Sequence, residues 1–182
     1  MSLVLKAGRE LELRPLRLGD ARDLFALVEA NRDRLRRWLP WVDGNQEPAD
    51  SRAYLLRMRE QARAGTALAF GLRWKGRLVG VAGFVWMDWS HRSAAIGYWL
   101  DGGAEGRGLM TAAVSALLQY GFGALGLNRI EIRAGVRNRR SRAIPRRLGF
   151  RHEGTLRQAE WVGGRFVDHA VYGLLASEWP KR

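Results

Sequence analysis

A glycine-bearing loop that leads into a helix is the part of the sequence best suited to binding chemistry. It reads Glu105-Gly106-Arg107-Gly108-Leu109-Met110-Thr111. Glycines let the backbone approach a ligand without side-chain obstruction, and the first helical turn offers unpaired N–H groups at the positive end of the helix dipole. We therefore expect this segment to cradle a pyrophosphate, with Arg107 as an additional positive contact. The alternative is an ordinary helix start whose glycines serve tight packing.

The glycine pattern differs from two common nucleotide-binding motifs. It lacks the Gly-x-x-x-x-Gly-Lys-Ser/Thr sequence of nucleoside triphosphatases. It also comes late in the chain, after predicted antiparallel hairpins, where the first βαβ unit of a dinucleotide fold would not lie. Neither class of protein is therefore expected.

Thiol and metal chemistry have little support in the sequence. The chain contains no cysteine, which excludes disulfides, thiolate metal sites and a cysteine nucleophile. The three histidines are not spaced as metal ligands, either with one another or with carboxylates; they are His91, His152 and His169. We expect no metal site.

The elements that must hold the glycine loop alternate between strands and helices. Patterning predicts strands over residues 11–16, 67–74, 78–87, 93–100, 129–136, 151–162 and 165–175. Helices are expected after Gly19-Asp20 and over residues 32–38, 51–64, 109–123 and 141–148. This order indicates a mixed α/β fold with one central sheet of about seven strands flanked by helices. No repeat or linker divides the chain, so residues 1–182 are expected to form a single domain.

The composition is that of a strongly basic globular chain. Of its 182 residues, 47% are apolar, 31 are Lys or Arg and 18 are Asp or Glu, which leaves a formal net charge of +13. Such an excess steers a protein toward polyanions such as ribosomes or nucleic acid. The alternative is compositional, because nearly all the positive charge is arginine. No stretch approaches the ~20 apolar residues that cross a bilayer, and residues 1–6 do not form a secretion signal, so the expected location is cytoplasmic.

A series of short motifs runs through nearly the whole chain. They are Leu13-Arg14-Pro15-Leu16, Arg37-Trp38-Leu39-Pro40-Trp41, Ile96-Gly97-Tyr98-Trp99-Leu100, Gly106-Arg107-Gly108-Leu109-Met110-Thr111, Asn138-Arg139-Arg140-Ser141, Leu148-Gly149-Phe150 and Glu153-Gly154-Thr155-Leu156-Arg157. Their order and spacing resemble the GNAT superfamily of N-acetyltransferases, and within it the RimL-type branch that acetylates the N-termini of ribosomal proteins.

The resemblance implies acetyl-CoA as co-substrate and assigns residues to it. Backbone amides of residues 105–111 would bind its pyrophosphate. Trp99 and Leu100 would lie where the sheet splays, which places the thioester beside exposed strand backbone. Asn138 matches a family asparagine that hydrogen-bonds the pantetheine or the following loop, and Ser141 matches a hydroxyl proposed to protonate the leaving thiolate.

Two residues depart from the superfamily pattern. Glu105 stands where Gln or Arg is usual, and a carboxylate beside phosphates is expected to point away from them. Pro145 stands where many members place a catalytic tyrosine, so the general acid would be Ser141, water or nothing. Proline is tolerated in the first turn of a helix, so Pro145 is compatible with the predicted helix if it falls there.

Glu160 is the candidate general base. It lies in an apolar strand, Gln158-Ala159-Glu160-Trp161, and matches a family motif that carries a proposed base. The alternative is a strand-edge carboxylate paired with one of the many arginines. Trp38 and Trp41 are expected to form an aromatic wall over the acceptor, or else to pack into the core.

Strand alternation makes three residues of the last strand weaker candidates for acceptor contacts. It places Asp168 and Tyr172 on one face and His169 on the other.

The expected reaction is acetyl transfer to a primary amine by direct attack in a ternary complex. The first acceptor class is the α-amine of a ribosomal protein. The alternatives are a small-molecule amine acetyltransferase acting on a polyamine, an amino acid or an aminoglycoside, and a basic ribosome- or RNA-binding module with a degenerate cofactor site.

Two surface features suggest further partners. A basic patch would meet the CoA 3′-phosphate or a polyanion, or is merely a solvated helix face; it comprises Arg139, Arg140, Arg142, Arg146 and Arg147. Trp86, Trp89 and Trp179 are candidates for a homodimer surface, and core packing is their alternative.

Overall fold

The computed structural model describes residues 3–180 as alternating strands and helices. The strands are β1 (Leu5–Lys6), β2 (Leu11–Pro15), β3 (Leu68–Trp74), β4 (Arg77–Asp88), β5 (Ser93–Leu100), β6 (Arg129–Gly135), β7 (Arg151–Val162) and β8 (Arg165–Leu175). The helices are α1 (Ala21–Ala30), α2 (Arg32–Leu35), α3 (Pro48–Ala64), α4 (Leu109–Gln119) and α5 (Arg139–Arg147). Each predicted strand is present, and the short β1 is added at one edge.

One mixed sheet contains all eight strands, in the order β1-β2-β3-β4-β5-β6-β8-β7. Neighbouring strands are antiparallel except for β5 and β6, which run parallel. That parallel pairing covers only Ser93↔Arg129, Ala94↔Ile130 and Ala95↔Glu131. Beyond Ala95 the two strands separate, so the sheet parts at the carboxyl ends of β5 and β6.

The main core lies between the sheet and α4. Ile130, Ile132 and Ala134 alternate along β6 and are buried, as the sequence pattern predicts. They form one apolar cluster with α4 residues that include Ala113 and Leu117, both fully buried. A second cluster joins α1 and α3 to the opposite face of the sheet. The carboxyl end of β5 is therefore packed on both faces, with Leu100 in the main core and Trp99 against the second cluster.

Four helix predictions differ from the structure. α3 begins at Pro48, three residues before the predicted start at Ser51, because Glu47 and Asp50 form a capping box around a proline in the first turn. α2 ends at Leu35 instead of Trp38, and Pro40 begins a short 3-10 helix rather than only stopping the one before it. The helix that starts at Leu109 passes into a single π-type turn over residues 120–124. α5 begins two residues before the predicted start because Asn138 caps it. Within residues 3–180, every helix is too short or too polar to span a membrane.

Candidate active site

The open edge of β5 is the first component of the site. The Asp101 N–H donates to Val79 of β4 over 2.7 Å. Successive peptide groups of a strand point to opposite sides, so the Leu100 N–H and carbonyl point away from β4, into the gap where β6 has separated. Arg34 donates to the carbonyl. The Leu100 N–H is therefore directed into the gap as a hydrogen-bond donor.

The predicted glycine loop lies directly after this edge and leads into α4. Gly106 and Gly108 have φ angles of +76° and +74°, a region that glycine enters without steric cost. A Cβ on either residue would meet nothing within 4 Å, so there is open space beside the backbone. Glycine is favoured at these positions because of the positive φ angles, not because of crowding. No side chain of residues 3–180 caps the start of α4. Its first N–H groups can therefore receive an anion.

Glu105 engages two arginines from different elements. Its Oε1 lies 2.6 Å from Arg34 Nη1 on α2, and its Oε2 contacts Arg140 on α5. The carboxylate is thus held between two guanidinium groups, and its orientation away from the phosphates stays a prediction. Through Glu105, the loop is tied to both flanking helices.

Arg34 and Asn31 anchor the chain between β5 and α4. Arg34 Nη2 donates to Asn31 Oδ1 over 2.9 Å as well as to Leu100. The same Asn31 oxygen accepts the Gly102 N–H over 2.9 Å. The Nδ2 of Asn31 donates to Asp101. Sequence reasoning missed both residues, because a buried asparagine and one arginine in an arginine-rich run carry no distinguishing local pattern.

The side chain of Arg107 points away from the open backbone of the glycine loop in this structure. Its guanidinium lies 5.1 Å from the centroid of the Trp74 ring, in the geometry of a cation–π contact. The predicted phosphate contact of Arg107 therefore requires this side chain to leave Trp74.

Ser141 and Asn138 lie together at the start of α5. Asn138 Oδ1 accepts the Ser141 N–H over 3.2 Å and so acts as the helix cap. The Ser141 hydroxyl donates to the Tyr98 hydroxyl over 3.3 Å. Burial raises the pKa of Tyr98, so this phenol stays protonated. It donates in turn to the Ser141 carbonyl over 3.0 Å.

Pro145 does not lie in the first turn of its helix, the position that would have made a proline tolerable. Pro145 is the seventh residue of α5, well past the first turn, and would also have been past it with the predicted start at residue 141. A proline there has no N–H for the carbonyl four residues before it, which belongs to Ser141. The Tyr98 hydroxyl supplies that missing donor. The helix therefore continues through Pro145 without leaving this carbonyl unpaired.

The basic patch on α5 is only partly a solvated face. Arg142 turns inward, where its Nε donates to Tyr172 Oη over 2.9 Å and its Nη1 donates to the Val136 carbonyl over 2.6 Å. Arg140 meets Glu105. Arg140 remains exposed despite this contact, as do Arg139, Arg146 and Arg147.

Glu160 lies on β7 next to a wide bulge. Its partner on β8 is Val167, and its Oε2 is 3.2 Å from His169 Nε2. The alternative of an arginine partner is not what the structure contains. The bulge is held by Asp168, whose Oδ1 accepts the N–H of Gln158 over 2.8 Å, and Gln158 has a φ of +49°.

The three tryptophans of the predicted site divide between two places. Trp38 lies over the carboxyl end of β6, where a Cβ on Gly135 would be 3.4 Å from its ring and 3.3 Å from Val167. Trp41 is 43% exposed and packs against Trp99 of β5, with ring centroids 6.1 Å apart. Trp38, at the end of β6, and the Trp41–Trp99 pair, at the end of β5, lie on either side of the gap between the two strands.

The three tryptophans considered for a homodimer surface differ in their packing. Trp86 and Trp89 are exposed, whereas Trp179 packs on Phe122 and the main core. Core packing thus accounts for Trp179 but not for the other two.

Metal-ligating side chains are dispersed over the part of the chain that the structure describes. Within residues 3–180 no cluster of three or more His, Asp or Glu side chains has the arrangement of a metal site.

The fold and this site define a class of protein: an α/β N-acyltransferase whose sheet parts beside a glycine-opened helix. The GNAT acetyltransferase domain family matches residues 10–151, and the chain belongs to that family. It is an acetyl-CoA-dependent N-acetyltransferase, so the alternative of a degenerate binding module is wrong. The two residues that depart from the superfamily pattern, Glu105 and Pro145, are both accommodated by contacts.

Three known proteins are similar over almost the whole chain. The putative ribosomal N-acetyltransferase YdaF of Bacillus subtilis is 36% identical, and the alignment covers 96% of each chain. The structure of the ribosomal α-N-protein acetyltransferase RimL in complex with coenzyme A superposes with a TM-score of 0.93 at 26% identity, covering 95% of this chain and 98% of that one. The microcin self-immunity acetyltransferase MccE, in complex with acetyl-CoA and AMP, gives 0.89 at 29% identity and covers 93% and 94%.

Proposed function

We propose that this enzyme acetylates the N-terminal α-amine of a protein, with ribosomal proteins as the first acceptor class, by direct attack on acetyl-CoA in a ternary complex. The observation that carries the proposal is the position of Glu160. This carboxylate faces the end of β6 where Trp38 lies, and the donor groups of β5 and α4 lie at the adjoining strand end. Carboxyl ends of neighbouring parallel strands are where α/β folds bind their ligands.

The residues around the gap suit acetyl-CoA. The open backbone at Gly106 and Gly108 and the uncapped start of α4 fit a pyrophosphate. Asn138 and Met110 to Thr111 line the same end of the fold. The Leu100 N–H would polarise the thioester carbonyl, because a fixed donor stabilises the negative charge that develops on that oxygen.

Glu160 would take the proton of the attacking amine. An α-amine has a pKa of about 7.7–8.0, so a substantial fraction is neutral near pH 8 and the remaining proton must leave as the C–N bond forms. A carboxylate within hydrogen-bond reach performs this step as general base. Trp38 and Trp41 would flank the acceptor and exclude water.

Ser141 would protonate the departing thiolate. Its hydroxyl donates to the Tyr98 hydroxyl in this structure, so this proton would turn from Tyr98 toward the sulfur as the thiolate departs. Tyr98 keeps its own proton on the Ser141 carbonyl and is not the acid in this proposal.

The acceptor class rests on relatives and on charge. YdaF and RimL are described as ribosomal acetyltransferases, and a chain of net charge +13 suits an acidic or ribosome-bound acceptor. The second candidate is a small-molecule amine. The structural similarity to MccE, solved with AMP, favours it.

Initial rates of thiol release from acetyl-CoA over a panel of acceptors test the proposal. The panel contains peptides that begin with Ser, Ala, Thr or Met, together with spermidine and free amino acids. We expect turnover with Ser- or Ala-initiated peptides. We also expect kcat to fall by about 10²–10⁴ in Glu160→Gln, with the KM for acetyl-CoA unchanged.

Glu153→Gln is the matched control on the same strand. Arg129 donates to Glu153, which lowers the pKa of that carboxyl, so Glu153 already has a structural role distant from the gap. Its loss is expected to leave kcat near the wild-type value. Turnover with small amines alone would replace the proposal with the second candidate.

A further inference from the structure

His169 lies beside Glu160 and has no role in the proposed acetyl transfer. Its Nε2 lies 3.2 Å from Glu160 Oε2. The His169 side chain is 16% exposed and that of Glu160 is 35% exposed. The pair is therefore half-shielded from water, with the carboxylate on the more open side.

The β7 bulge explains why the two side chains meet. Leu156 pairs with His169, and Glu160 pairs with Val167. Three β7 residues thus oppose the single residue Asp168, which adds two residues to β7. Because two is an even number, strand alternation keeps its phase, and Glu160 emerges on the same face as His169.

Arg165 is also on this face, two residues before Val167, and is exposed; the charged groups of β6 on this face have other partners. On β6, which packs beside β8, Arg133 Nε lies 2.7 Å from Glu131 Oε1, and Arg129 contacts Glu131 and Glu153. Asp168 emerges on the opposite face and holds the bulge. Among residues 3–180, His169 is the only ion-pair partner of Glu160.

We propose that His169 is a positioning residue for Glu160. Its Nε2–H donates to Oε2 and fixes the carboxylate so that Oε1 faces the acceptor amine. A base that is oriented by a third group is the arrangement of catalytic triads, and misplacement of a reacting group by about 1 Å costs about 10²-fold in rate. This inference rests on the proposed role of Glu160 as general base.

A histidine suits this position better than an arginine would. A permanent positive charge beside a carboxylate favours its ionised form and weakens it as a base. A neutral imidazole carries one N–H, which can donate to the carboxylate without adding that charge. Every other ion pair found in residues 3–180 uses an arginine or a lysine, whereas Glu160 is paired with a histidine.

The first test compares two substitutions of His169 with wild-type enzyme at pH 8. In His169→Leu we expect kcat to fall about 10- to 100-fold, with the KM for acetyl-CoA unchanged. In His169→Gln, whose side-chain amide still donates, we expect most of kcat to return. The control is His91→Gln, an exposed loop residue that should retain wild-type rates. Wild-type kcat in His169→Leu, or no recovery in His169→Gln, would overturn the proposal.

A second readout does not depend on turnover. The ring ¹H–¹⁵N correlation signals of His169 are compared at pH 8 between the wild-type enzyme and Glu160→Gln, with His91 as internal reference. Loss of the carboxylate that lies 3.2 Å from His169 Nε2 should shift the His169 signals and leave those of His91 unchanged. Unshifted His169 signals contradict the pairing even if the enzyme is active. Absent turnover with shifted His169 signals contradicts only the proposed function.

Discussion

Arg34 serves three partners that belong to different segments of the chain. It pairs with Glu105 in the glycine loop, donates to the Leu100 carbonyl at the end of β5, and contacts Asn31 between α1 and α2. Hydrogen bonds that involve a charged group contribute more to stability than neutral ones. Arg34 therefore couples the position of the glycine loop to the open edge of β5.

Replacement of Arg34 by methionine tests this coupling. Arg34→Met leaves Glu105 with the exposed Arg140 alone and removes a donor from Leu100. We expect a loss of about 1–3 kcal/mol in the free energy of unfolding, measured by urea titration, and a higher Kd for acetyl-CoA by calorimetry.

Arg36→Met is the control for that substitution. Arg36 pairs with Asp43 at the surface, where both side chains are more than half exposed, and such pairs contribute about 0–1 kcal/mol. Equal effects of the two substitutions on stability and on acetyl-CoA affinity would show that Arg34 has no special role.

Among individual residues, the sequence predicts those that belong to local motifs. It misses those whose contacts join segments far apart in the chain. Gly106 and Gly108 follow from spacing alone, since positive φ angles and an open helix start are local properties. Arg34 lies 71 residues from Glu105, and Tyr98 lies 43 residues from Ser141. Such pairs are set by how the strands and helices pack, and no local pattern in the sequence marks them.

The helix α5 depends on a strand for one of its internal hydrogen bonds. Pro145 cannot donate to the Ser141 carbonyl, and Tyr98 of β5 donates instead. We expect Tyr98→Phe to cost about 1–3 kcal/mol of unfolding free energy. In a Pro145→Ala background the alanine N–H can make the helical bond, so the same substitution should cost less. The double-mutant cycle should give a coupling of about 1 kcal/mol.

Tyr54→Phe is the control for that cycle. Tyr54 is a largely buried phenol on α3 whose pKa burial raises to about 12, and it belongs to the cluster on the other face of the sheet. Its cost should be the same in the wild-type and the Pro145→Ala backgrounds. If the cost of Tyr98→Phe is likewise the same in both backgrounds, the account of α5 is contradicted.

The loop that opens α4 gives a second prediction for an element. Gly108→Ala places a Cβ at a φ of +74° and into the open space beside the helix start. We expect a loss of about 1 kcal/mol in stability and weaker acetyl-CoA binding. Gly123→Ala, in the π-type turn after α4, meets nothing within 4 Å and should be neutral or slightly stabilising. An unchanged acetyl-CoA Kd in Gly108→Ala would count against the loop as the pyrophosphate site.

The elements were predicted best where turn chemistry is explicit. The Gly163-Gly164 turn, with φ angles of +56° and +80°, gives β7 and β8 their predicted ends. The start of α5 and the end of α2 were misplaced because they depend on an asparagine cap and on a proline that begins a new 3-10 helix. The bulge at Gln158 carries no sequence signal, since its φ of +49° is imposed by Asp168.

The whole molecule carries a net charge of +13, and we expect this charge to attract acidic acceptor peptides and so to lower their KM. We expect an acidic Ser-initiated peptide to have a lower KM than a basic peptide with the same first two residues. The KM of the acidic peptide should rise steeply between about 50 and 200 mM salt, conditions under which screening increases. Steady-state rates at the two salt concentrations measure this. An acidic peptide whose KM ignores salt would indicate that the arginine excess is compositional.

The location of the transferred acetyl group tests the central claim most directly. A Ser-initiated peptide with one internal lysine is incubated with the enzyme and acetyl-CoA, and tandem mass spectrometry then assigns the modified nitrogen. We predict a single acetyl group on the α-amine and none on the lysine. An acetyl group on the lysine side chain, or an unmodified peptide beside an acetylated small amine, would contradict the assignment of this enzyme to protein N-termini.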